Sequence, residues 1–303
     1  MTVRVPAKVN LDLRVGAPRP DGYHPLATVF HAVDLCDEVV VADGAPGSGV
    51  SLDVEGHGAA DLPRDDGNIA VRAARAAARA AGRDPDLRIT IAKSIPVAGG
   101  MAGGSADAAA VLVACDALWE GALGRDRLER LAADLGSDVP FLLRGGTMLG
   151  TGRGERLAPV LARGRLHWVV ALSEGQLSTP AVYAEFDRLT EGAALPAPEV
   201  GEAMLQALRA DDAGAVGRAL HNDLQPAALS LMPSLARTLE AGSDLGALGG
   251  IVSGSGPTCI FLARTHEHAL DIAVGLTTTG LVRSVRCTSG PVPGAGVVTK
   301  GMR

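Results

Sequence analysis

Short alternating segments dominate the first fifty-odd residues and predict an extended, strand-rich start to the chain. Val-rich stretches in which apolar and polar positions alternate occur at 3–5, 9–15, 28–33, 38–42 and 50–54. The pattern then changes, because residues 68–82 combine strong helix formers with a capping Asn68 and a terminal Gly82. This segment predicts the first long helix.

A strand, a glycine-rich loop and a helix are then predicted in direct succession. Residues 87–92 alternate as a strand, and the small, apolar residues of 106–119 predict a helix that is buried on almost all sides. Another helix is expected at 126–135, followed by a turn and the apolar run that starts at Phe141. The glycine-rich stretch 145–154 is expected to be loose.

The second half mixes helices with strands and indicates a separate α+β domain. Strands are expected at 166–172 and 258–263, and helices at 179–189, 198–209, 212–220 and 232–242. We therefore divide the chain into an N-terminal domain, 1–150, and a C-terminal domain, 151–303. Whether the last strands return to the first domain stays open.

Composition and charge exclude several classes of partner. The 303 residues carry 28 Lys and Arg against 34 Asp and Glu, and this net charge of -6 offers no basic surface for a nucleic-acid backbone. No apolar run approaches the roughly 20 residues that cross a bilayer, and the start lacks the pattern of a secretory signal. We expect a cytoplasmic protein with neither a nucleic-acid nor a membrane partner.

The segment from Pro96 to Ala110 carries the most chemistry. Its four glycines allow backbone N–H groups to approach an oxyanion, and a helix begins directly after them. The free N–H groups and the positive dipole end of that helix favour a phosphate, with Ser105 as a natural N-cap. The spacing fits neither the Walker loop nor the dinucleotide fingerprint G-x-G-x-x-G. A loop that only allows close packing of a strand and a helix is the alternative.

Three ordered segments resemble the signatures of the GHMP small-molecule kinases. They are Pro6-Ala-Lys-Val-Asn-Leu11, the loop Pro96 to Ala110, and Gly250-Ile-Val-Ser-Gly-Ser-Gly-Pro-Thr258. The family loop commonly has Leu, three glycines and two serines, whereas this chain has Met101, Ala102 and Ala106 at the corresponding places. Met101 and Ala102 are tolerable if neither needs a positive φ, and Ala106 lacks a hydroxyl that could contact phosphate.

The resemblance implies a two-domain α+β fold and ATP-dependent phosphoryl transfer. The expected architecture is an N-terminal α/β nucleotide domain and a C-terminal ferredoxin-like α+β domain, with the active site in the cleft between them. The ATP-binding loop is expected to comprise Pro96, Val97, Ala98, Gly99, Gly100, Met101, Ala102, Gly103, Gly104, Ser105 and Ala106. Mg²⁺ is expected to be held mainly through the ATP phosphates, because no His, Cys and Asp cluster has the spacing of a dedicated metal site.

By the same resemblance, Lys8 pairs with Asp138. A carboxylate within reach of the attacking hydroxyl can accept its proton, which makes Asp138 the expected general base. An ammonium beside it keeps the carboxylate ionised, and Lys8 is one of only three lysines in the chain. Asp107 is the rival base, although its place one turn into a helix also suits the helix dipole.

Three further segments resemble the branch of the family whose acceptor carries cytidine diphosphate. They are Asp21-Gly-Tyr-His24, Gly136-Ser-Asp-Val-Pro-Phe141 and His221-Asn-Asp-Leu-Gln-Pro226. The implied reaction phosphorylates the 2-hydroxyl of a methylerythritol unit, and the implied acceptor contacts are Asn10, Tyr23, His24, Thr179 and Tyr183. Tyr23 would stack on the cytosine ring, Tyr183 would supply the opposing face, and His24 would bind the edge of the base.

Two alternatives remain besides this interpretation. A sister kinase that acts on homoserine or mevalonate would keep the phosphate loop without needing Tyr23, His24 and Tyr183 together. A binding protein on the same fold would sense a nucleotide or a sugar without catalysis, although the presence of both Lys8 and Asp138 argues against it. We expect a monomer or a weak homodimer.

Overall fold

The computed structural model describes residues 1–56, 58–97 and 99–298. Its strands are β1 (Thr2–Val15), β2 (Leu26–Asp43), β3 (Val50–Gly56), β4 (Leu87–Lys93), β5 (Thr147–Gly152), β6 (Arg156–Pro159), β7 (Leu166–Leu172), β8 (His221–Asn222), β9 (Gly249–Val252), β10 (Cys259–Ala263), β11 (Ser284–Gly290) and β12 (Gly296–Val297). Its α-helices are α1 (Ile69–Ala81), α2 (Gly103–Leu118), α3 (Arg125–Leu135), α4 (Val139–Arg144), α5 (Thr179–Leu189), α6 (Glu202–Ala210), α7 (Ala213–Ala219), α8 (Gln225–Leu231), α9 (Ser234–Asp244) and α10 (His266–Thr278).

The first sheet is built around the long antiparallel pair β1 and β2. Its main path runs β12-β1-β2-β4-β3, and β5 pairs with the first half of β2 while β4 pairs with the second half. The expected domain boundary at residue 150 falls within β5, which pairs onward with β6. Near the other end of the chain, β12 pairs with β1 in the register Val3 to Val297.

The second sheet confirms the expected ferredoxin-like arrangement. Its four antiparallel strands follow the order β11-β7-β10-β9. One face of this sheet packs on α9 and α10 through a core that includes Val169, Phe261 and Ile272. The other face, which includes Trp168 and Leu262, joins the large core of the first sheet. The two-domain α+β fold is therefore confirmed.

Helix caps explain where α1 begins and ends. The Asn68 side chain accepts a hydrogen bond from the backbone N–H of Ala70, and Gly82 ends the helix in the left-handed conformation at φ 66°. The buried helix after the glycine loop is also confirmed, but α2 begins at Gly103 and not at Ala106. The residue at its N-cap is Ala102, so the expectation that Ser105 caps this helix is wrong.

Several elements differ from the sequence pattern. Strand β5 lies in the segment that was expected to be loose, since its glycines pair in a regular ladder with β2. Helix α4 replaces the expected turn and apolar run, and Pro140 occupies its first turn, where a missing N–H costs no hydrogen bond. Among the described residues, no helix is both long enough and apolar enough to cross a membrane.

Candidate active site

A cleft of about 920 Å³ brings together most of the predicted site residues. Strands β1 and β2 form one wall, where side chains two positions apart share a face. Lys8 and Asn10 from β1 therefore lie beside Thr28 and Phe30 from β2, and all four line the cleft. The glycine loop before α2 and the start of α5 contribute other walls.

Lys8 and Asp138 meet in this cleft. The Nζ atom of Lys8 lies 3.7 Å from Oδ2 of Asp138 and donates a hydrogen bond of 2.7 Å to Oδ1 of Asn10. Asn10 in turn donates through Nδ2 to Oγ1 of Thr28 at 2.8 Å, which fixes its amide orientation. The Lys8 side chain is only 7% exposed, whereas that of Asp138 is 30% exposed and open to an incoming hydroxyl.

The Asp138 side chain lies at the start of a helix without hydrogen-bonding to it. It occupies the N-cap position of α4, but its side chain makes no capping hydrogen bond. No backbone N–H of the helix therefore occupies its carboxylate oxygens. The arrangement gives an accessible carboxylate beside a buried ammonium, as a general base for a hydroxyl requires.

The glycine loop packs against the segment Gly250 to Thr258, the third of the signature segments and here called the third glycine motif. Gly100 has φ 71°, and a Cβ at this residue would collide with the carbonyl oxygen of Ser253. The Ser253 hydroxyl donates to the carbonyl oxygen of Gly100 at 3.3 Å. Residues 253–258 close the hairpin between β9 and β10. This hairpin therefore supports the loop from one side, and glycine is required at the contact.

Ala102 was expected to be tolerable only if it needs no positive φ, and this condition is not met. It adopts the left-handed conformation at φ 60°, where a Cβ is unfavourable by roughly 1–2 kcal/mol. The backbone must turn here so that the N–H groups of Gly103, Gly104 and Ser105 open the first turn of α2 towards the cleft. The chain therefore keeps the loop geometry despite a less suitable residue.

The remaining loop residues divide between the cleft and the core. Those that line the cleft are Pro96, Val97, Gly99, Gly100, Ala102, Gly103, Gly104 and Ser105. Met101 and Ala106 are completely buried, so the missing hydroxyl at Ala106 lies on the core side of α2. Ala98 lies outside the described residues.

A buried ionic cluster below the loop was not anticipated from the sequence. Nζ of Lys93 donates to Oδ2 of Asp37, to Oδ2 of Asp107 at 2.8 Å and to the carbonyl oxygen of Gly103 at 3.3 Å. Oδ1 of Asp37 accepts from the backbone N–H groups of Ser94 and Ile95 at 2.6 and 2.8 Å. The cluster therefore ties the strand that enters the loop to the helix that leaves it.

The same cluster bears on the rival base, Asp107. Burial raises the pKa of the Asp107 carboxyl, and the attraction of Lys93 offsets only part of that effect. Burial also opposes the charge on Lys93, but its two carboxylate neighbours outweigh it and raise the pKa of the ammonium. Asp107 is thus engaged with Lys93 inside the protein, while Asp138 has the carboxylate that faces Lys8.

An aromatic cluster surrounds the predicted acceptor residues. The rings of His24 and Tyr183 lie 4.9 Å apart, and Nε2 of His24 lies 2.8 Å from Oδ1 of Asp187. Burial, and to a smaller extent the charge of Asp138, raises the pKa of Tyr183, and both residues line the cleft. Tyr23 remains 53% exposed.

Thr179 and Arg153, which also line the cleft, make two further contacts. Oγ1 of Thr179 lies 3.0 Å from Oγ of Ser255, which connects α5 to the third glycine motif. The guanidinium of Arg153 lies 5.0 Å from the ring centroid of Tyr23. Sequence reasoning missed Arg153 and Asp187, and it included Ser255 only as part of the segment Gly250 to Thr258. The only signal for Arg153 is a cation set between two glycines.

Comparison with known proteins identifies the family. The family model described as GHMP kinases N terminal domain matches residues 68–146, and the model described as GHMP kinases C terminal matches residues 204–280. The chain belongs to the GHMP kinase family. The N-terminal match includes the glycine loop, α2 and Asp138 of this GHMP kinase.

Individual relatives are similar over nearly the whole chain. The 4-diphosphocytidyl-2-C-methyl-D-erythritol kinase of Nocardia farcinica is 55% identical over 98% of this GHMP kinase and 95% of its own length. A crystal structure of 4-(cytidine 5′-diphospho)-2C-methyl-D-erythritol kinase covers 95% of this chain and 98% of that chain, at TM-score 0.74 and 35% identity. Homoserine kinase from Cytophaga hutchinsonii shares the fold at TM-score 0.75 and 19% identity, covering 98% and 97% of the two chains.

Proposed function

We propose that this GHMP kinase transfers the γ-phosphoryl group of ATP to the 2-hydroxyl of 4-diphosphocytidyl-2-C-methyl-D-erythritol. The observation that carries the proposal is the accessible Asp138 carboxylate, 3.7 Å from the buried Lys8 ammonium, in a cleft that also holds the glycine loop. Relatives at 54–58% identity that bear the name of this kinase support the choice of acceptor. The aromatic cluster around His24 and Tyr183 suits a cytosine base.

The reaction needs one proton acceptor and several hydrogen-bond donors. The 2-hydroxyl oxygen attacks the γ-phosphorus, its proton passes to Oδ2 of Asp138, and the bond from the γ-phosphorus to the leaving oxygen of ADP breaks. The Lys8 ammonium stabilises the developing charge on the attacking oxygen. Backbone N–H groups of Gly103, Gly104 and Ser105 bind phosphate oxygens at the start of α2.

We also propose that Mg²⁺ accompanies the nucleotide and neutralises phosphate charge. The described residues contain no group of three or more His, Cys, Asp and Glu side chains placed to hold a metal ion. The nucleotide phosphates would therefore supply most of the metal's ligands, as is usual for Mg²⁺ at kinase sites.

The decisive experiment measures ADP release by the purified protein with Mg²⁺ and ATP. The acceptors are the cytidine conjugate, homoserine and mevalonate, each also tested with the Asp138→Asn and Asp126→Asn variants. We expect turnover of the cytidine conjugate alone. Loss of the base should lower the rate about 10²- to 10⁴-fold in Asp138→Asn. Asp126, in the first turn of α3, is the matched control and should keep the full rate.

Each outcome has a distinct meaning. Asp138→Asn removes the charge that faces Lys8, so thermal unfolding is measured beside the rate, and a lower rate in a variant that is folded at the assay temperature reports on chemistry. An unchanged rate would remove Asp138 from the mechanism. Turnover of homoserine or mevalonate would keep phosphoryl transfer and discard the cytidine acceptor.

A further inference from the structure

Three cationic side chains line the cleft, and they differ in how far their charge is already compensated. Lys93 is bonded to two carboxylates, and Lys8 lies beside Asp138. For Arg153, no carboxylate lies within 4.0 Å anywhere in the described ranges. Arg153 is therefore the cleft cation whose charge the described part of the protein leaves available for a ligand.

The backbone and a neighbouring ring position this guanidinium. Arg153 lies in the turn between β5 and β6, flanked by Gly152 at φ 77° and Gly154 at φ 107°. Its backbone N–H donates to Oε2 of Glu155 at 2.7 Å, which fixes the turn. The guanidinium then rests over the ring of Tyr23 at 5.0 Å, a cation–π geometry that holds the group without using its N–H donors.

The charge of Arg153 affects the pKa of one carboxyl group, that of Asp21, but this carboxylate already has a hydrogen-bond partner. The pKa of Asp21 is lowered mainly by its hydrogen bond from Arg19 and only slightly by the charge of Arg153. Nη2 of Arg19 lies 2.6 Å from Oδ2 of Asp21. Arg19 thus satisfies this carboxylate, and the Arg153 guanidinium keeps its hydrogen-bonding capacity.

A chain of contacts places Arg153 on the acceptor side of the cleft. Its guanidinium contacts Tyr23, the next residue, His24, packs on Tyr183, and Tyr183 lines the same cleft as Asp138. A ligand whose base occupies this aromatic cluster and whose hydroxyl reaches Asp138 must carry its connecting group through the same region. In the acceptor named above, the connecting group is a diphosphate.

We propose that Arg153 binds the diphosphate of the acceptor and makes the enzyme specific for a phosphorylated cytidine, with Tyr23 holding the guanidinium in position. This inference rests on the proposed function, because the acceptor supplies the diphosphate. Guanidinium groups bind phosphate oxygens through paired N–H donors, which gives both charge neutralisation and geometric selection. Lys8 remains free to act at the hydroxyl.

The test compares ligands with and without phosphate by isothermal titration calorimetry. Cytidine, cytidine diphosphate and ADP are titrated into the unmodified protein and into Arg153→Gln, Arg153→Lys and Arg156→Gln. We expect Arg153→Gln to weaken cytidine diphosphate about tenfold while the affinities for cytidine and ADP change less than twofold. Arg153→Lys should keep part of the affinity. Arg156, on β6 and exposed, is the matched control.

Tyr23 provides a second, independent pair of variants. Tyr23→Phe keeps an aromatic face under the guanidinium, whereas Tyr23→Leu removes it. We expect the ratio of cytidine diphosphate affinity to cytidine affinity to be kept in Tyr23→Phe and to fall about threefold in Tyr23→Leu. In turnover assays, Arg153→Gln should raise KM for the cytidine conjugate about tenfold and leave kcat nearly unchanged.

The outcomes separate this inference from the proposed function. If the unmodified protein turns over the cytidine conjugate but Arg153→Gln keeps its preference for cytidine diphosphate, the role of Arg153 is overturned and the function stands. If Arg153→Gln weakens ADP as much as cytidine diphosphate, Arg153 serves the ATP side and the inference is wrong. If neither cytidine ligand binds the unmodified protein, both the acceptor and this inference are overturned.

Discussion

The three members of the buried ionic cluster should contribute very unequally to stability. Lys93, Asp37 and Asp107 have side chains that are 1%, 0% and 4% exposed. In Lys93→Met the side chain keeps much of its volume but loses the ammonium, which leaves two carboxyl groups inside the protein without a counter-charge. Breaking a buried ion pair in this way costs about 3–5 kcal/mol of unfolding free energy.

Replacement by asparagine should destabilise the protein more at Asp37 than at Asp107. In Asp37→Asn, one amide N–H group must face either Lys93 or the backbone donors of Ser94 and Ile95, so we expect a loss of about 3 kcal/mol. Burial favours the neutral form of Asp107, and its Oδ1 has no hydrogen-bond partner among the described residues. Asp107→Asn should therefore cost less than about 1 kcal/mol.

Urea unfolding followed by circular dichroism measures these differences, and thermal unfolding supplies a second readout. A loss of about 4 kcal/mol corresponds to a fall in Tm of roughly 8–16 °C for a domain of this size. Arg88→Met removes an exposed cation from the same strand, β4, and should change the unfolding free energy by less than about 0.5 kcal/mol. A Lys93→Met loss below about 1 kcal/mol, or equal losses for the two Asn variants, would refute the reasoning.

Three further results are expected. Burial lowers the pKa of His31 to about 3, so below pH 6.5 only the unfolded chain takes up a proton at this residue. Between pH 6.5 and 4.5, the unfolding free energy of the unmodified protein, measured with urea, should fall by up to about 1.4 kcal/mol more per pH unit than that of His31→Gln. Ala102→Gly should raise the unfolding free energy by about 1 kcal/mol, measured thermally, because it relieves a left-handed Ala. Lys8→Met should lower turnover about 100-fold while calorimetry shows ADP binding unchanged, because the ammonium beside Asp138 is lost.

One outcome would contradict each of these three predictions. Parallel pH profiles for the unmodified protein and His31→Gln would mean that His31 is not held neutral by burial. A less stable Ala102→Gly would show that the flexibility of glycine in the unfolded chain outweighs the relieved strain. A full turnover rate in Lys8→Met would remove Lys8 from the chemistry and leave it a packing role beside Phe30.

Local signals determined the elements that the sequence predicted well. Helix α1 has its caps, its helix formers and its apolar stripe within the same segment, and the structure matches the prediction almost to the residue. Strand β2 was predicted as two segments, because the polar residues around Asp34 interrupt the alternation. The pairing with β1 shifts register beside Cys36, so a β-bulge carries the strand through this interruption.

The active site was predictable where it follows the loop, and less so where it depends on contacts distant in sequence. Lys8 and Asp138 were paired through family resemblance, and the structure places them together. The contact between Arg153 and Tyr23 joins two residues that are 130 positions apart, one between β5 and β6 and the other between β1 and β2. No local sequence pattern predicts this contact. Ala102 likewise lies between two residues with contacts outside the loop, since Gly100 packs against Ser253 and the carbonyl oxygen of Gly103 accepts a hydrogen bond from Lys93.

The pairing of β12 with β1 has a consequence for the order in which the protein folds. Strand β1 carries Lys8, but one of its edges meets β12 only after residue 297 has been synthesised, when Val298 donates to the carbonyl oxygen of Thr2 at 2.8 Å. During synthesis at the ribosome, the part of this edge at Val3 and Arg4 must wait for almost the entire chain, and contacts so distant in sequence form slowly. The wall of the cleft that carries Lys8 is therefore completed late, after the second sheet has emerged.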